Sequence, residues 1–259
     1  MTAATVAGGE PTGFARYWPH IAVAGVLAAS WETYGQFGND LLLPPISAIV
    51  AALVDITMSG RLPLAILESS RLLAIGFTLA LVVGFVLGIL VGRSVILHRT
   101  LSPFLNAIFV TPTVAMVPLV LVWFGFGLPG RVVVVFLAAF VPVLVSVYAG
   151  VKDSPRDLIE VARSFGVEGE VAMLRTVRLR AAIPLILSGI RLAVGRAVVG
   201  MAVAEVYLRL GGIGALIKGY GALFQTDYVF ASIIPLPLMG LGLTAIVARI
   251  ERRFQAWKI

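Results

Sequence analysis

The sequence predicts an all-α integral membrane protein with six transmembrane helices, on three observations. Of its 259 residues 59% are hydrophobic and 13% charged, about half the charged fraction of an ordinary soluble domain. The mean hydropathy is +1.02, and the apolar residues come in blocks of about 20, the length that crosses a bilayer as a helix. The Lys and Arg residues behind the net charge of +7 cluster beside the ends of those blocks, which reads as a topology signal rather than a nucleic-acid surface. With no cysteine and only His20 and His98, disulfides, thiol chemistry and a histidine metal site are excluded, and no cofactor is expected in this chain.

Residues 1–18, small and polar around Arg16, read as a flexible cytoplasmic tail. No convincing small-residue cleavage site follows, so the first apolar block is expected to be retained as a span over 19–36. That block is short and carries Glu32, which suits a helix tilted or partly buried against neighbours. Together with an outer connection it makes a first unit, 19–69. Within it "PPISAIVAALVDITMSGRLP" opens on two prolines, runs apolar at helical spacing for about three turns and ends at Gly60, predicting a short surface helix rather than a further crossing. Five more spans are expected over 70–92, 103–124, 130–151, 182–206 and 229–250. They form a core unit, 70–250, that includes a charged loop at 152–181, and a tail of 251–259 follows.

Orientation comes from the basic residues. Arg93 and Arg99 lie between spans two and three, Lys152, Arg156, Arg163, Arg175, Arg178 and Arg180 between four and five, and Arg249, Arg252, Arg253 and Lys258 after six. The other side holds only Arg61, Arg71, Arg131, Arg209 and Lys218. Both termini and both basic loops are therefore expected in the cytoplasm.

Gly84, Gly88 and Gly92 recur every four residues in span two, and Gly189, Ala193 and Ala197 do so in span five. Such faces let helix backbones approach closely, so both helices are expected inside a bundle or at a subunit interface. Pro112 and Pro118 each remove a helical hydrogen bond from span three, predicting a kink or break at membrane depth; Pro235 and Pro237 make a similar case at the start of span six. "GFGLPG" (Gly125 to Gly130) fits a dinucleotide-binding pattern in letters only, because it joins two spans and contains Pro129 instead of opening a helix after a strand. The dipeptide Gly-Lys is absent, which excludes a Walker A loop. Ionisable Arg191, Arg196 and Glu205 lie in span five, where a charge is a functional candidate by default, against the simpler reading that Arg191 snorkels and Glu205 shapes a loop.

The loop at 152–181 is the most informative stretch. Ser154 is a plausible N-cap and Pro155 suits the first turn. Asp157 and Glu160 match the positive end of a helix dipole, and Gly166 suits a left-handed terminus. Leu158, Val161, Ala162 and Phe165 share one face of this short helix, and "EVAMLRTVRLRAA" then restarts as a basic helix feeding span five. An amphipathic helix outside the membrane suits docking into a partner's groove better than lying on lipid headgroups, given its acidic residues.

Glu160-Val161-Ala162, then Gly166 and later Val177-Arg178-Leu179, resemble the EAA loop of permease subunits of binding-protein-dependent ABC importers. "PTVAMVPLVLVWFGFG" (Pro112 to Gly127), "YAGVKDSPRDLIEVARSFG" (Tyr148 to Gly166), "ILSGIRLAVGRAVVGMAVAEV" (Ile186 to Val206) and "GIGALI" (Gly212 to Ile217) are similar to the nitrate, sulfonate and taurine branch of that family, over about residues 65–255. Against the family pattern, Val161 replaces the second alanine, Arg180 replaces the final proline, and one extra residue separates Gly166 from that end.

The resemblance implies a type I importer permease fold in a bacterial cytoplasmic membrane, with ATP and Mg bound on a partner ATPase and no catalysis in this chain. It implies a cytoplasmic ATPase dimer, a second copy of this chain and an extracytoplasmic binding protein as partners. Glu160, Ala162 and Gly166 become the expected coupling core, flanked by Leu158, Arg163 and Phe165. Pro112, Met116, Pro118, Arg196 and Glu205 become pathway candidates, and Gly84, Gly88 and Gly92 helix-packing residues. The expected solute is a small anion such as a sulfonate, taurine or nitrate, ahead of a neutral or cationic vitamin precursor. The rival reading is a gradient-driven carrier or channel, which would need carboxylates at midplane depth. A membrane-embedded enzyme lacks paired intramembrane carboxylates or a histidine cluster.

Overall fold

Two valine-rich and glycine-rich helix faces create the centre of the molecule. The computed structural model describes residues 14–38, 42–208 and 211–255, and among these every regular element is helical. Most of the expected N-terminal tail, Arg209, and the last residues of the C-terminal tail with Lys258 lie outside the described residues.

The chain runs through α1 (Phe14–Phe37), α2 (Ile46–Met58), α3 (Arg61–Arg93), α4 (Val95–Val110), α5 (Thr113–Phe124) and α6 (Leu128–Lys152). It continues through α7 (Arg156–Ser164), α8 (Glu170–Met173), a π-turn (Leu174–Arg178), α9 (Leu179–Leu208), α10 (Ile213–Ala222), α11 (Thr226–Ile233) and α12 (Pro235–Gln255). Four runs among the described residues are long and apolar enough to cross a membrane: Arg61–Arg93, Leu128–Lys152, Glu170–Leu208 and Thr226–Arg253. They contain the expected spans two, four, five and six.

The remaining two expected spans differ in build. In α1 only the stretch from Ile21 to Ala29 is uniformly apolar, and its last turns are polar and tied to α2: Glu32 accepts from Ser47 N at 3.1 Å and Ser47 Oγ at 2.6 Å, and Trp31 Nε1 donates to Pro44 O at 3.0 Å. The third is divided into α4 and α5, because Thr111, which precedes a proline, and Pro112 itself are both extended (ψ 125° and 117°). Pro118 sits inside α5 without breaking it. At Pro235 the preceding Ile234 keeps helical angles (φ −51°, ψ −42°), so span six carries on as one run.

Boundaries also move. α3 begins at Arg61 directly after Gly60, whose φ of +76° makes the turn, so residues 61–69 belong to a membrane-length helix and not to the outer connection. Residues 14–18 and 251–255 are helical instead of tail; Arg252 and Arg253 in the last turn of α12 favour its extension by complementing the helix dipole.

α6 is the hub. Along one side Val135, Ala139, Val143, Val147 and Val151 are buried at four-residue intervals, facing Gly76, Ala80, Gly84, Gly88 and Gly92 of α3. A Cβ added at Gly84 would lie 2.9 Å from Val143 Cγ1, at Gly88 2.6 Å from Val147 Cβ, and at Gly92 2.9 Å from Val151 Cβ. Without those side chains the two backbones pack directly, trading the flexibility of glycine for dispersion contact. On its other side α6 receives α9, whose Gly189 lies against Ser146 and Pro142 O and whose Gly200 lies against Ala138. The apolar cluster shared by the three helices is mostly Val and Ala, with Leu72, Leu73, Ile186 and Met201.

Candidate functional site

Three places carry chemistry: the charged loop, a cleft beside the α4–α5 break, and a buried carboxylate near the end of α9.

In the loop, α7 is capped differently at its two ends. Ser154 does not cap it. A residue before proline favours extended angles, and the Ser154 hydroxyl turns back to donate to Val151 O at 3.0 Å at the end of α6, leaving Pro155 as the N-cap with no side-chain bond. The far end closes as a Schellman turn: Gly166 has φ +80°, its N–H donates to Arg163 O at 2.9 Å, and Val167 N donates to Ala162 O at 3.0 Å. α7 lies against the π-turn segment, and along it Ala162 is buried and Ile159 half-buried. Leu158 (49% exposed), Val161 (53%) and Phe165 (85%) stand out on the adjoining face. Glu160 and Arg163 are also exposed. The π-turn follows α8 and leads into α9; Glu170 and Arg178 form an ion pair across it at 3.6 Å.

The cleft has a volume of 410 Å³ and is walled by Pro112 and Thr113 on one side and by Leu192, Gly195, Arg196 and Val199 of α9 on the other. It brings together two of the pathway candidates, Pro112 and Arg196. Half-buried Met116 and exposed Pro118 lie on α5 outside its lining. Arg191, the residue before Leu192 on α9, is joined instead to Glu251 of α12 by a salt bridge.

Glu205 does not share the cleft. It is fully buried, accepting from Ser69 Oγ at 2.7 Å and from Gly214 N at 2.9 Å. Ser69 Oγ in turn accepts from Ile213 N at 2.9 Å, and Glu68 accepts from Gly212 N at 2.7 Å. Three successive backbone N–H groups at the start of α10, which have no intrahelical partner, are thus satisfied by side chains of α3 and α9. Arg131, in the first turn of α6, adds an electrostatic interaction. Gly212 (φ +80°) and Gly214 are shaped to this carboxylate; a Cβ at Gly214 would lie 2.5 Å from that of Glu205. Glu68 and Ser69 were not visible as partners in the sequence. They lie 136 or more residues from Glu205 and fell within the expected outer connection, and only the glycine-rich stretch Gly211–Gly214 hinted at a close approach.

The sequence matches the family of binding-protein-dependent transport system inner membrane components over residues 80–256. The chain belongs to this family. Among its relatives, the putative aliphatic sulfonates transport permease protein SsuC of Bacillus subtilis (strain 168) is 32% identical over 90% of this chain and 85% of its own length. The taurine transport system permease protein TauC of Escherichia coli (strain K12) is 28% identical over 92% of this chain and 88% of its own. The riboflavin transport system permease protein RibX of Chloroflexus aurantiacus is 34% identical over 62% of this chain and 60% of its own. The family match begins inside α3 and ends with α12, so this inner membrane component has its loop, cleft and buried carboxylate all within the matched region. It is a transport subunit, and its apolar helices are those of a transmembrane permease.

Proposed function

We propose that this permease forms the translocation pathway of an ATP-driven importer and is moved by a separate cytoplasmic ATPase docked on α7. The observation that carries the reading is α7 itself: a capped helix outside the membrane-length runs that buries only Ala162 and leaves Leu158, Val161 and Phe165 exposed. Three apolar side chains on an extramembrane helix favour a protein groove as their cover, and Glu160, Arg163 and Gly166 supply the polar rim and the turn around them.

In this reading α1 and the joined α4–α5 pair provide the first and third of six crossings, with both termini and the loop 152–181 in the cytoplasm. Residues 19–69 form the entry span and outer helix, and 70–250 form the permease core. Two copies pair around the pathway, with a binding protein delivering solute from outside. ATP and Mg are bound by the ATPase. Its closure draws the two α7 helices together, and the bundle shifts between inward-open and outward-open states by the differential affinity of ATP for the closed ATPase dimer. The break at Pro112 and the cleft it walls belong to the pathway. Sulfonate and taurine relatives favour a small anion such as a sulfonate, taurine or nitrate as the solute.

Purification of the tagged chain from its host in mild detergent, followed by mass spectrometry, tests this directly. A stoichiometric P-loop ATPase is the expected companion. A chain that purifies alone and transports in liposomes without ATP would overturn the reading in favour of a gradient-driven carrier.

A further inference from the structure

We infer that Arg93, Arg99 and Lys152, gathered where α3, α4 and α6 meet, bind the phosphate of an anionic phospholipid and moor the permease to lipid at that point. The inference rests on the permease reading for placing these helix ends at the cytoplasmic membrane surface. α3 ends at Arg93 and α6 at Lys152, and the two ends are level: a Cβ added at Gly92 would lie 2.9 Å from Tyr148 O and 2.9 Å from Val151 Cβ. α4 starts at Val95, and Arg99 stands about 6 Å along it at about 1.5 Å per residue. Helical Cβ atoms tilt toward the N-terminus, which returns this side chain toward the level of the other two.

Lys152 is positioned by two rings. Its Nζ lies 3.1 Å from His98 Nε2 and 5.7 Å from the centre of the Tyr148 ring, and the two rings stack with centroids 5.0 Å apart. An imidazole nitrogen and a phenol face hold the ammonium without neutralising it. Arg93 and Arg99 are exposed, and among the described residues neither forms an ion pair. Within 92–99 and 148–153 the sole acidic residue is Asp153. Three basic side chains against one carboxylate, at the ends of membrane-length helices, make a surface whose complement is an anion.

The rest of α4 selects the kind of anion. Ile96, Pro103 and Val110 recur every seven residues on the face that carries Arg99. All three are exposed, Ile96 at 78% and Val110 at 79%. A free phosphate gains nothing from that apolar stripe, whereas acyl chains cover it while their headgroup reaches the cations. Guanidinium forks and an ammonium suit phosphodiester oxygens, and basic pockets between helices at the cytoplasmic surface take such headgroups.

The intact permease, with the subunits that copurify, is incubated in mixed micelles holding phosphatidylglycerol and phosphatidylcholine in equal parts, and native mass spectrometry reads the lipid it keeps. Phosphatidylglycerol is expected to exceed phosphatidylcholine by at least about tenfold. The paired substitution Arg93→Gln/Arg99→Gln, which breaks no ion pair among the described residues, should lower that ratio about fivefold or more. Lys152→Gln should lower it about threefold, and Lys152→Arg should keep it. Arg252→Gln/Arg253→Gln removes two exposed cations from the end of α12 and is expected to change nothing; an equal loss there would reduce the effect to overall surface charge and overturn the site. Displacement of the lipid by inorganic phosphate would replace it with a site for soluble anions. No enrichment in a complex that keeps its ATPase would show the patch to be covered by protein, removing the lipid site while the permease reading stands. A chain that enriches phosphatidylglycerol yet holds no ATPase and transports without ATP would do the reverse.

Discussion

Along the α3–α6 seam and along α7, apolar or small residues recur at the same helical spacing, yet their fates are opposite. On the seam Gly84, Gly88 and Gly92 meet Val143, Val147 and Val151 so closely that no added methyl fits without displacement. On α7 the stripe is split: Ala162 is buried, while Leu158, Val161 and Phe165 are left exposed. Periodicity reports which side chains share a face, but not whether this chain supplies the cover. A seam closed by small residues is finished within the chain, whereas a stripe of large apolar residues left exposed on a helix outside the membrane-length runs is, in the proposed reading, covered by a second molecule. Stability should therefore reside in the seam and in the Glu205 network, and coupling in α7, with little overlap.

The largest break in that division is expected from Glu205→Ala. It strips the hydrogen-bond acceptor from Ser69 Oγ and Gly214 N in a fully buried setting, at a cost of about 3–5 kcal/mol. Loss of the monodisperse species on size exclusion, or a large drop in the melting temperature of the detergent-solubilised protein, is the readout. An unchanged melt would remove the network from the list of stabilising contacts. Gly88→Ala comes next. Its methyl would lie 2.6 Å from Val147 Cβ and 2.9 Å from Leu144 O, overpacking worth about 1–3 kcal/mol, while Gly195→Ala, with open space around it, serves as the neutral control. Ser69→Ala should cost about 1–2 kcal/mol by leaving the Ile213 N–H without its acceptor; a melt as damaged as that of Glu205→Ala would show that the hydroxyl, not the carboxylate, holds α10.

What the sequence made legible follows from the range of the interactions involved. The glycine repeat, the extended residue before Pro112 and the left-handed turn at Gly166 are consequences of neighbouring residues, and all three appear where local reasoning puts them. Ser154 was misread because two local preferences compete for its hydroxyl, and the carbonyl end of α6 wins over the N-terminus of α7. The start of α3 at Arg61 was missed because Arg61, Glu68 and Ser69 lowered the apolar count of a stretch in which Glu68 and Ser69 serve the start of α10 and Ser69 bonds Glu205 of α9. Glu205 was a functional candidate as a charge in a span, weighed against the simpler reading that it shapes a loop, and its oxygens accept from Ser69 and from the start of α10. Arg196, nine residues earlier on the same helix, faces an open cleft. The partners of Glu205 come from α3 and α10, which no spacing within α9 reveals.

The smallest effect on stability and the sharpest on function should coincide in Glu160→Lys. Its side chain is exposed on α7, and Ser164 Oγ bonds only the Glu160 carbonyl oxygen, which the substitution keeps. Reversing the charge should move the melting transition by no more than about 0.5 kcal/mol, although lysine near the N-terminus of a short helix opposes the dipole slightly. In a reconstituted complex, however, the reversed charge would sit at the rim of the docked face, where like-charge contact suppresses association, and stimulated ATP hydrolysis is expected to vanish. Wild-type turnover would detach Glu160 from coupling while leaving the exposed stripe to be tested through Phe165→Ala. A lost melt together with lost turnover would instead place α7 among the elements that hold the bundle together, and the division between seam and surface would fail at the point where it is drawn most clearly.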